Sequence, residues 1–125
     1  MERLQSYDEF WPFYVSQHAV ATNRVLHFVG TSLALAIPIA ALISGAPQLL
    51  LLAPVAGYGP AWAGHFFFEK NRPATFKYPL WSLRADFRMY RLTWLGRMAQ
   101  ELERASRLYP TTAQPAAVSE EASAL

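Results

Sequence analysis

The sequence predicts an all-α integral membrane protein built on a helical hairpin with two transmembrane helices. Two apolar runs, residues 25–44 and residues 49–68, contain no Lys, Arg, Asp or Glu. Each run is about 20 residues long, which is roughly the length that a helix needs to cross the hydrocarbon core of a bilayer. The link between them, residues 45–48, is short, so the two helices are expected to run antiparallel.

Two other interpretations of these runs are less favoured. A cleaved signal peptide has a shorter apolar region nearer the N-terminus and no second run directly after it. Buried helices of a soluble domain usually have about 10–14 apolar residues and keep a polar face. Charged residues make up only 16% of the chain, against about 25% in soluble domains. Membrane insertion is therefore the favoured interpretation.

The segment before the first run is predicted to form an N-terminal helix at the membrane interface, because it is rich in aromatic residues. Ser6 and Glu9 have the spacing of a capping box, which marks a helix start. The predicted interfacial anchors are Phe10, Trp11, Phe13 and Tyr14. Thr22 or Asn23 is expected to cap the first membrane helix, and Gly45 is expected to end it.

Proline and glycine interrupt the second run, which makes a straight helix unfavourable. The residues concerned are Pro54, Gly57, Gly59, Pro60 and Gly64. Interrupted membrane helices occur where the backbone lines a cavity, and small residues allow close packing between helices. Both interpretations stay open at this point. Pro73 and Pro79 then predict a loop over residues 69–81.

A C-terminal amphipathic helix is predicted for residues 82–108, with Ser82 as its N-cap. It is expected to cover the cytoplasmic end of the hairpin or to lie on anionic headgroups. Residues 1–109 then form a single membrane-embedded domain. The tail at residues 110–125 is predicted to be disordered, because it has few bulky apolar residues.

Basic residues flank the two runs, whereas the link between the runs carries no charge. By the positive-inside rule, both termini lie in the cytoplasm and the link lies outside. The sequence contains no nucleic-acid-binding module, so the basic C-terminal helix is expected to contact membrane lipids. Two membrane helices make a thin scaffold, which favours a homo-oligomer.

The chain has three histidines, and the predicted hairpin brings them to one end. His27 lies near the head of the first run and His65 near the end of the second, so they reach the same depth. His18 joins them only if the chain bends at the Thr22–Asn23 cap. An ionisable residue in a membrane segment is a functional hypothesis by default, and three converging imidazoles predict a metal site. The alternative for each is a packing residue bonded to a backbone carbonyl.

Two carboxylates are candidates for the same site. Glu69 follows His65 by four residues, so the two share a face of a helix. Asp86 is a second candidate ligand or a residue that orients a histidine, and its alternative is a surface ion pair with Arg84 or Arg88. The chain has no cysteine, and nitrogen and carboxylate ligands suit iron(II), manganese or zinc.

Arg72 is predicted to bind the carboxylate of an acidic substrate, because the planar guanidinium group matches a carboxylate. Asn71 and Asn23 are the other predicted substrate-binding residues. The alternative for Arg72 is a basic residue that lies at the cytoplasmic headgroups.

Two sequence patterns resemble those of the Mpo-like membrane proteins, a family formerly described as a domain of unknown function. The first is H-x4-N-x3-H-x2-G-T, formed here by His18, Asn23, His27, Gly30 and Thr31. The second is W-x-G-H-F-x-F-E-x-N-x-P-A, formed here by Trp62, Gly64, His65, Phe66, Phe68, Glu69, Asn71, Pro73 and Ala74. Pro79-Leu80 and a Ser-Leu-x-x-Asp stretch ending at Asp86 continue it. The resemblance covers roughly residues 5–95.

Fungal members of that family act as Fe(II)-dependent 2-hydroxy fatty acid dioxygenases in phytosphingosine breakdown. The resemblance therefore implies an enzyme that uses O2 to shorten a 2-hydroxy fatty acid by one carbon. It implies that His18, His27 and His65 hold Fe(II) and are catalytic. Glu69 is expected to join them as a catalytic residue and ligand, and Asp86 as a ligand or supporting residue.

This chain is shorter than the fungal members and looks like a bacterial form, which implies an inner-membrane location. Another 2-hydroxy acid or another lipid remains open as the substrate. Two different functions also remain open. A non-enzymatic structural protein would use Gly57, Gly59 and Gly64 for helix association, and a lipid or ion carrier would use the interrupted second helix.

Overall fold

The computed structural model describes residues 3–110, and every regular element in that range is helical. Its α-helices are α1 (Tyr7–Ser16), α2 (Ala21–Ser44), α3 (Leu52–Ala63), α4 (Pro79–Trp94) and α5 (Met98–Leu108). Two 3-10 turns, Pro47–Leu51 and Ala74–Phe76, and one π-helical turn, Gly64–Glu69, complete the order. The predicted all-α class is confirmed. The predicted disordered tail lies outside the described residues from residue 111 onwards.

The start of α1 follows the predicted capping pattern. Ser6 Oγ accepts a hydrogen bond from the backbone N–H of Glu9 at 3.2 Å. The Glu9 carboxylate in turn accepts one from the backbone N–H of Gln5 at 3.0 Å. These bonds satisfy donors that the first turn of a helix leaves free, so the predicted helix start is confirmed.

The aromatic side chains of α1 are buried against α4 and α5, so their predicted role as lipid-facing anchors is wrong. The buried core consists of Tyr7, Phe10, Trp11, Tyr14, Val15, Tyr78, Ala85, Met89, Leu92, Met98 and Ala105, with Phe13 packed at its edge. The guanidinium groups of Arg84 and Arg88 lie over the rings of Tyr7 and Trp11, at 3.9 and 4.2 Å. The basic face of α4 therefore meets aromatic rings of α1.

The long helix α2 ends where the sequence predicts but begins slightly earlier. Its N-cap is Val20, which makes no side-chain capping bond, and not Thr22 or Asn23. Gly45 follows the last turn with a φ of 65°, a left-handed conformation that glycine adopts without steric cost. Among the described residues, α2 is the one helix that is long and apolar enough to cross a membrane.

The second apolar run does not form one straight helix. It is divided into a 3-10 turn, α3 and the π-helical turn, and together these cover Pro47 to Glu69. α3 packs closely against α2 at Gly30 and Gly57. A Cβ added at Gly30 would lie only 2.5 Å from the carbonyl oxygen of Gly57. The structure thus supports both earlier interpretations of the small residues, since the same segment also lines a cavity.

The predicted C-terminal helix over residues 82–108 is two helices in the structure. α4 begins at Pro79, which takes the first-turn position that proline tolerates. α4 ends at Trp94, and α5 begins at Met98. Gly96, between the two helices, has a φ of 68°. The break lets α5 turn back onto α1. Ser82 is therefore not a cap but lies inside α4.

The outer faces of α2 and α3 expose large apolar side chains along most of their length. Leu42 and Ile43 of α2 are 83% and 82% exposed, Leu51 of the 3-10 turn is 79% exposed, and Val55 of α3 is 69% exposed. Soluble monomers rarely expose large contiguous apolar patches. This end of the molecule therefore has a large exposed apolar surface, whereas α1, α4 and α5 enclose an aromatic core of their own.

Candidate metal centre

The structure brings the three histidines together, as the sequence predicts. One ring nitrogen from each of His18, His27 and His65 lies within 4.8 Å of the other two. All three residues are buried, and none is more than 5% exposed. His18 follows α1, His27 lies in the second turn of α2, and His65 lies in the π-helical turn.

The bend that brings His18 to the site lies in the turn between α1 and α2. α1 ends at Ser16 and α2 begins at Ala21, so the bend precedes the predicted Thr22–Asn23 position. The guanidinium group of Arg24 holds this turn by donating hydrogen bonds to the carbonyl oxygens of His18 and Ala19 at 2.8 and 2.7 Å.

Each histidine is oriented through its Nδ1 atom. His18 Nδ1 lies 2.6 Å from the carbonyl oxygen of Tyr14, and His27 Nδ1 lies 3.0 Å from that of Asn23. Carbonyl oxygens only accept hydrogen bonds, so both Nδ1 atoms carry the proton. The Nε2 lone pairs of the neutral rings are then left free for a ligand.

His65 is fixed in the same tautomer by the side chain of Asn71. Its Nδ1 lies 2.6 Å from Asn71 Oδ1. The Asn71 amide nitrogen donates to the backbone oxygen and to Oε1 of Gln17, at 3.1 and 3.0 Å. These two acceptors fix which end of the amide carries the oxygen, so His65 must donate. Asn71 thus orients a histidine, and its predicted contact with substrate stays a prediction.

The three Nε2 atoms fit a metal ion better than they fit one another. His18 Nε2 and His27 Nε2 are 3.1 Å apart, yet both are acceptors when the protons sit on Nδ1. Two ligands about 2.1 Å from a metal and at right angles to each other are about 3 Å apart. Imidazole suits zinc, copper, iron and nickel. The three histidines could therefore bind a metal ion of this group.

Burial keeps the site neutral and ready to bind a cation. The pKa of His18 lies well below its usual value, first because the ring is buried and second because His27 and His65 are close. A neutral imidazole is the form that binds metal. His18 is therefore in the form that can donate a lone pair to a metal ion.

Glu69 makes contacts outside the histidine group. Its Oε1 accepts hydrogen bonds from the backbone N–H of Val20 at 2.6 Å and from Asn23 Nδ2 at 3.3 Å. Val20 is the N-cap residue of α2, where a carboxylate is favoured by free N–H groups and the helix dipole. In the structure Glu69 therefore ties the π-helical turn to the start of α2.

Asp86 is partly buried, lines the small cavity that the histidines line, and forms no ion pair with Arg84 or Arg88 among the described residues. It accepts a hydrogen bond from the hydroxyl of Tyr14, and the Tyr14 ring stacks on His18 with centroids 4.1 Å apart. Burial raises the pKa of Asp86 to about 7, although the bond from Tyr14 lowers it.

The remaining predicted substrate-binding residues do not line the histidine cavity. The side chain of Arg72 is exposed. Asn23 is fully buried, but its amide meets Glu69 and its backbone oxygen meets His27. The structure thus uses Asn23 to connect the start of α2 with the second apolar segment.

Two cavities meet at the centre. A small polar cavity of about 10 Å³ is lined by all three histidines. An apolar groove of about 330 Å³ runs from His27 between α2, α3 and α4 to Leu50. The residues that line both are His27, Tyr58, Ala61 and Asp86. The groove volume is within the range of small-molecule sites, which is about 300–1,000 Å³.

Sequence reasoning missed several residues of the site. Tyr14 was assigned to the interface, although its four-residue spacing from His18 would have placed the two on neighbouring turns. Gln17, which holds Asn71, carries no recognisable signal. Trp62 and Ser82 line the small cavity, and their position there depends on how α3 and α4 pack.

The fold and the site define a class: small helical proteins in which buried histidines form a candidate metal centre beside an apolar groove. The comparison with protein families matches residues 4–98 to the family described as 2-hydroxy-palmitic acid dioxygenase Mpo1-like. The chain belongs to this family, as its sequence patterns indicate. The comparison with curated proteins gave no match, and neither did the comparison with solved structures.

Proposed function

We propose that this protein is a membrane-bound non-haem Fe(II) dioxygenase that shortens a 2-hydroxy fatty acid by one carbon with O2. The observation that carries the proposal is the convergence of three buried, neutral histidines at the head of an apolar groove. The name of the family supports the activity and the class of substrate. The donor set supports the cofactor, since imidazole is a suitable iron ligand.

His18, His27 and His65 would hold the iron through their Nε2 atoms. When bound, iron would act as a Lewis acid that can hold a substrate and O2 next to each other. The protein supplies the orientation of the three rings through Tyr14, Asn23 and Asn71. Asp86 lies at the junction of the small cavity and the groove, where it would support the centre from α4 through its bond from Tyr14.

The groove suits the alkyl chain of the substrate. Its lining is almost entirely apolar beyond His27 and Asp86 and includes Ala34, Leu50, Ala53 and Gly57. A fatty acid whose head lies at the histidines would bury its chain along the α2–α3 interface, and burial of each CH2 contributes roughly 0.8 kcal/mol. A membrane substrate could enter from the exposed apolar side.

The membrane location is part of the proposal. α2 and the segment from Pro47 to Glu69 would cross the bilayer as a hairpin, and α1, α4 and α5 would lie at the cytoplasmic surface of a bacterial inner membrane. The exposed apolar faces of α2 and α3 support this arrangement. At about 1.5 Å per residue, the 24 residues of α2 would span about 36 Å, which is enough for a bilayer core.

The test is iron content and turnover of protein purified anaerobically in detergent. With Fe(II) added back, the wild type should hold stoichiometric iron and convert 2-hydroxy-palmitate with O2 to the acid one carbon shorter, measured by mass spectrometry. His65→Gln should lose both iron and turnover. Arg107→Gln is the control, because Arg107 forms only an exposed ion pair on α5.

Two outcomes would contradict the proposal. Wild-type protein that binds no metal would favour a structural role for the histidines. Metal-bound protein that transfers lipid between vesicles without consuming O2 would favour a carrier. A His65→Gln variant that keeps its thermal unfolding temperature while losing iron would show that the loss is local to the site.

A further inference from the structure

Two buried hydrogen-bond donors line the histidine cavity without a partner. Trp62 Nε1 and Ser82 Oγ are buried polar atoms that make no hydrogen bond in the described structure, and both residues line the small cavity with His18, His27 and His65. Buried polar atoms are almost always paired, because leaving one unpaired costs about 1–3 kcal/mol. Two such atoms at one cavity indicate that a ligand satisfies them.

Both donors are held in place by packing. The Trp62 ring lies between Tyr58 and Phe76, with centroid distances of 5.5 and 5.2 Å. Ser82 is 2% exposed and lies one turn before Asp86 on the same face of α4. A serine inside a helix commonly bonds to the carbonyl four residues earlier, but the Ser82 hydroxyl makes no such bond.

The chemistry of the two groups indicates an oxygen acceptor. The indole N–H of Trp62 can only donate, and the Ser82 hydroxyl can donate in the same cavity. A volume of about 10 Å³ is near the minimum for one water-sized group. A bound metal cation beside the two donors would favour an anionic oxygen over a neutral one.

The neighbouring groove indicates which molecule this oxygen belongs to. The small cavity and the groove share His27, Tyr58, Ala61 and Asp86, so an oxygen in the cavity can continue directly into an apolar chain. A free anion would use the cavity but not the groove. The ligand class that uses both is a long-chain carboxylate.

We propose that Trp62 Nε1–H and Ser82 Oγ–H bind one oxygen of the substrate carboxylate and so position the acid at the metal centre. This inference rests on the proposed function for the identity of the substrate. It assigns the carboxylate to Trp62 and Ser82 and not to Arg72, whose side chain is exposed and does not line either cavity.

The experiment measures equilibrium binding of 2-hydroxy-palmitate to Fe(II)-loaded protein without O2, so that no turnover is needed. Trp62→Phe and Ser82→Ala should each weaken binding about tenfold to a hundredfold, as expected for a hydrogen bond to a charged group. Binding of 1,2-hexadecanediol, which keeps the 2-hydroxyl but has no carboxylate, should change much less. Iron content and thermal unfolding should match the wild type.

Matched controls are Trp94→Phe and Ser106→Ala. Trp94 is 68% exposed, and Ser106 lies on the exposed face of α5, so neither should alter binding of the acid or of the diol. Arg72→Gln should also leave binding of the acid nearly unchanged.

Three results would overturn the inference: no binding of the acid by the wild type, equal weakening of acid and diol in both variants, or unchanged acid binding in both variants. Wild-type protein that binds the acid through Trp62 and Ser82 but never converts it would support the inference while contradicting the proposed dioxygenase. The two proposals can therefore fail separately.

Discussion

Asn71 orients His65 through its side chain, so its contribution can be tested by substitution. Asn71→Ala removes the acceptor of the His65 Nδ1–H and frees Gln17. We expect metal affinity to fall about tenfold to a hundredfold, as is typical when a residue behind a metal ligand is lost. Competition with a chelator of known affinity measures the change.

The control for this prediction is Asn71→Asp, which keeps an acceptor for His65 but loses both donors to Gln17. It should retain more affinity than Asn71→Ala. Equal affinity in wild type and Asn71→Ala would show that the π-helical turn alone fixes the ring of His65.

At the scale of single residues, the sequence predicted that the three histidines converge with Asp86 near them, but it did not predict the contacts of Glu69 with Val20 and Asn23. The histidines were found because ionisable side chains are rare in apolar runs. Glu69 has the correct spacing from His65 for an α-helix, but the structure forms a π-helical turn there, and its carboxylate meets the start of α2. Sequence spacing cannot distinguish these two outcomes.

At the scale of elements, the close contact of α2 and α3 predicts that a larger residue at Gly30 destabilises the protein. Gly30→Ala would place a Cβ 2.5 Å from the carbonyl oxygen of Gly57, so the helices must separate. We expect a loss of about 1–3 kcal/mol in the free energy of unfolding, as for other overpacked sites. Thermal unfolding in detergent measures it, together with iron content.

Gly59→Ala is the matched control, because a Cβ added at Gly59 meets nothing within 4 Å. It lies within α3, where alanine is favoured over glycine by roughly 0.5–1 kcal/mol. Stability should therefore stay equal or rise slightly. A Gly30→Ala protein as stable as Gly59→Ala would contradict the close packing.

The elements themselves were only partly predictable. Gly45 and Ser6 mark boundaries through local chemistry, and the structure agrees at both. The break at Gly96 is not predicted because Trp94 and Met98 keep helical spacing across it. Only the packing of α5 on α1 favours two helices over one. The aromatic residues of α1 were misassigned for the same reason, since sequence shows their character but not their partner.

At the scale of the whole molecule, the natural lack of cysteine makes the proposed orientation simple to test. Gln48 lies in the exposed turn before α3, and Ser106 lies on the exposed face of α5. The two test variants are Gln48→Cys and Ser106→Cys. A membrane-impermeant maleimide added to intact spheroplasts should label the first and spare the second, because the positive-inside rule places the termini in the cytoplasm.

Permeabilised cells are the control, since both cysteines should then react. Labelling of Ser106→Cys in intact cells would reverse the orientation. Labelling of neither after permeabilisation would mean that the sites are covered, and a second pair of positions at Pro47 and Arg107 would repeat the test.

The way the histidines are held also limits what genetics can reveal about them. Two of the three orienting groups are main-chain carbonyls, those of Tyr14 and Asn23, and every amino acid supplies that oxygen. A saturation mutagenesis screen would therefore reveal the orienting role of Asn71, whereas losses at Tyr14 and Asn23 would report their side-chain contacts and not their carbonyl oxygens. Only a change of backbone path, such as an insertion or deletion between Tyr14 and His18 or between Asn23 and His27, would reveal them.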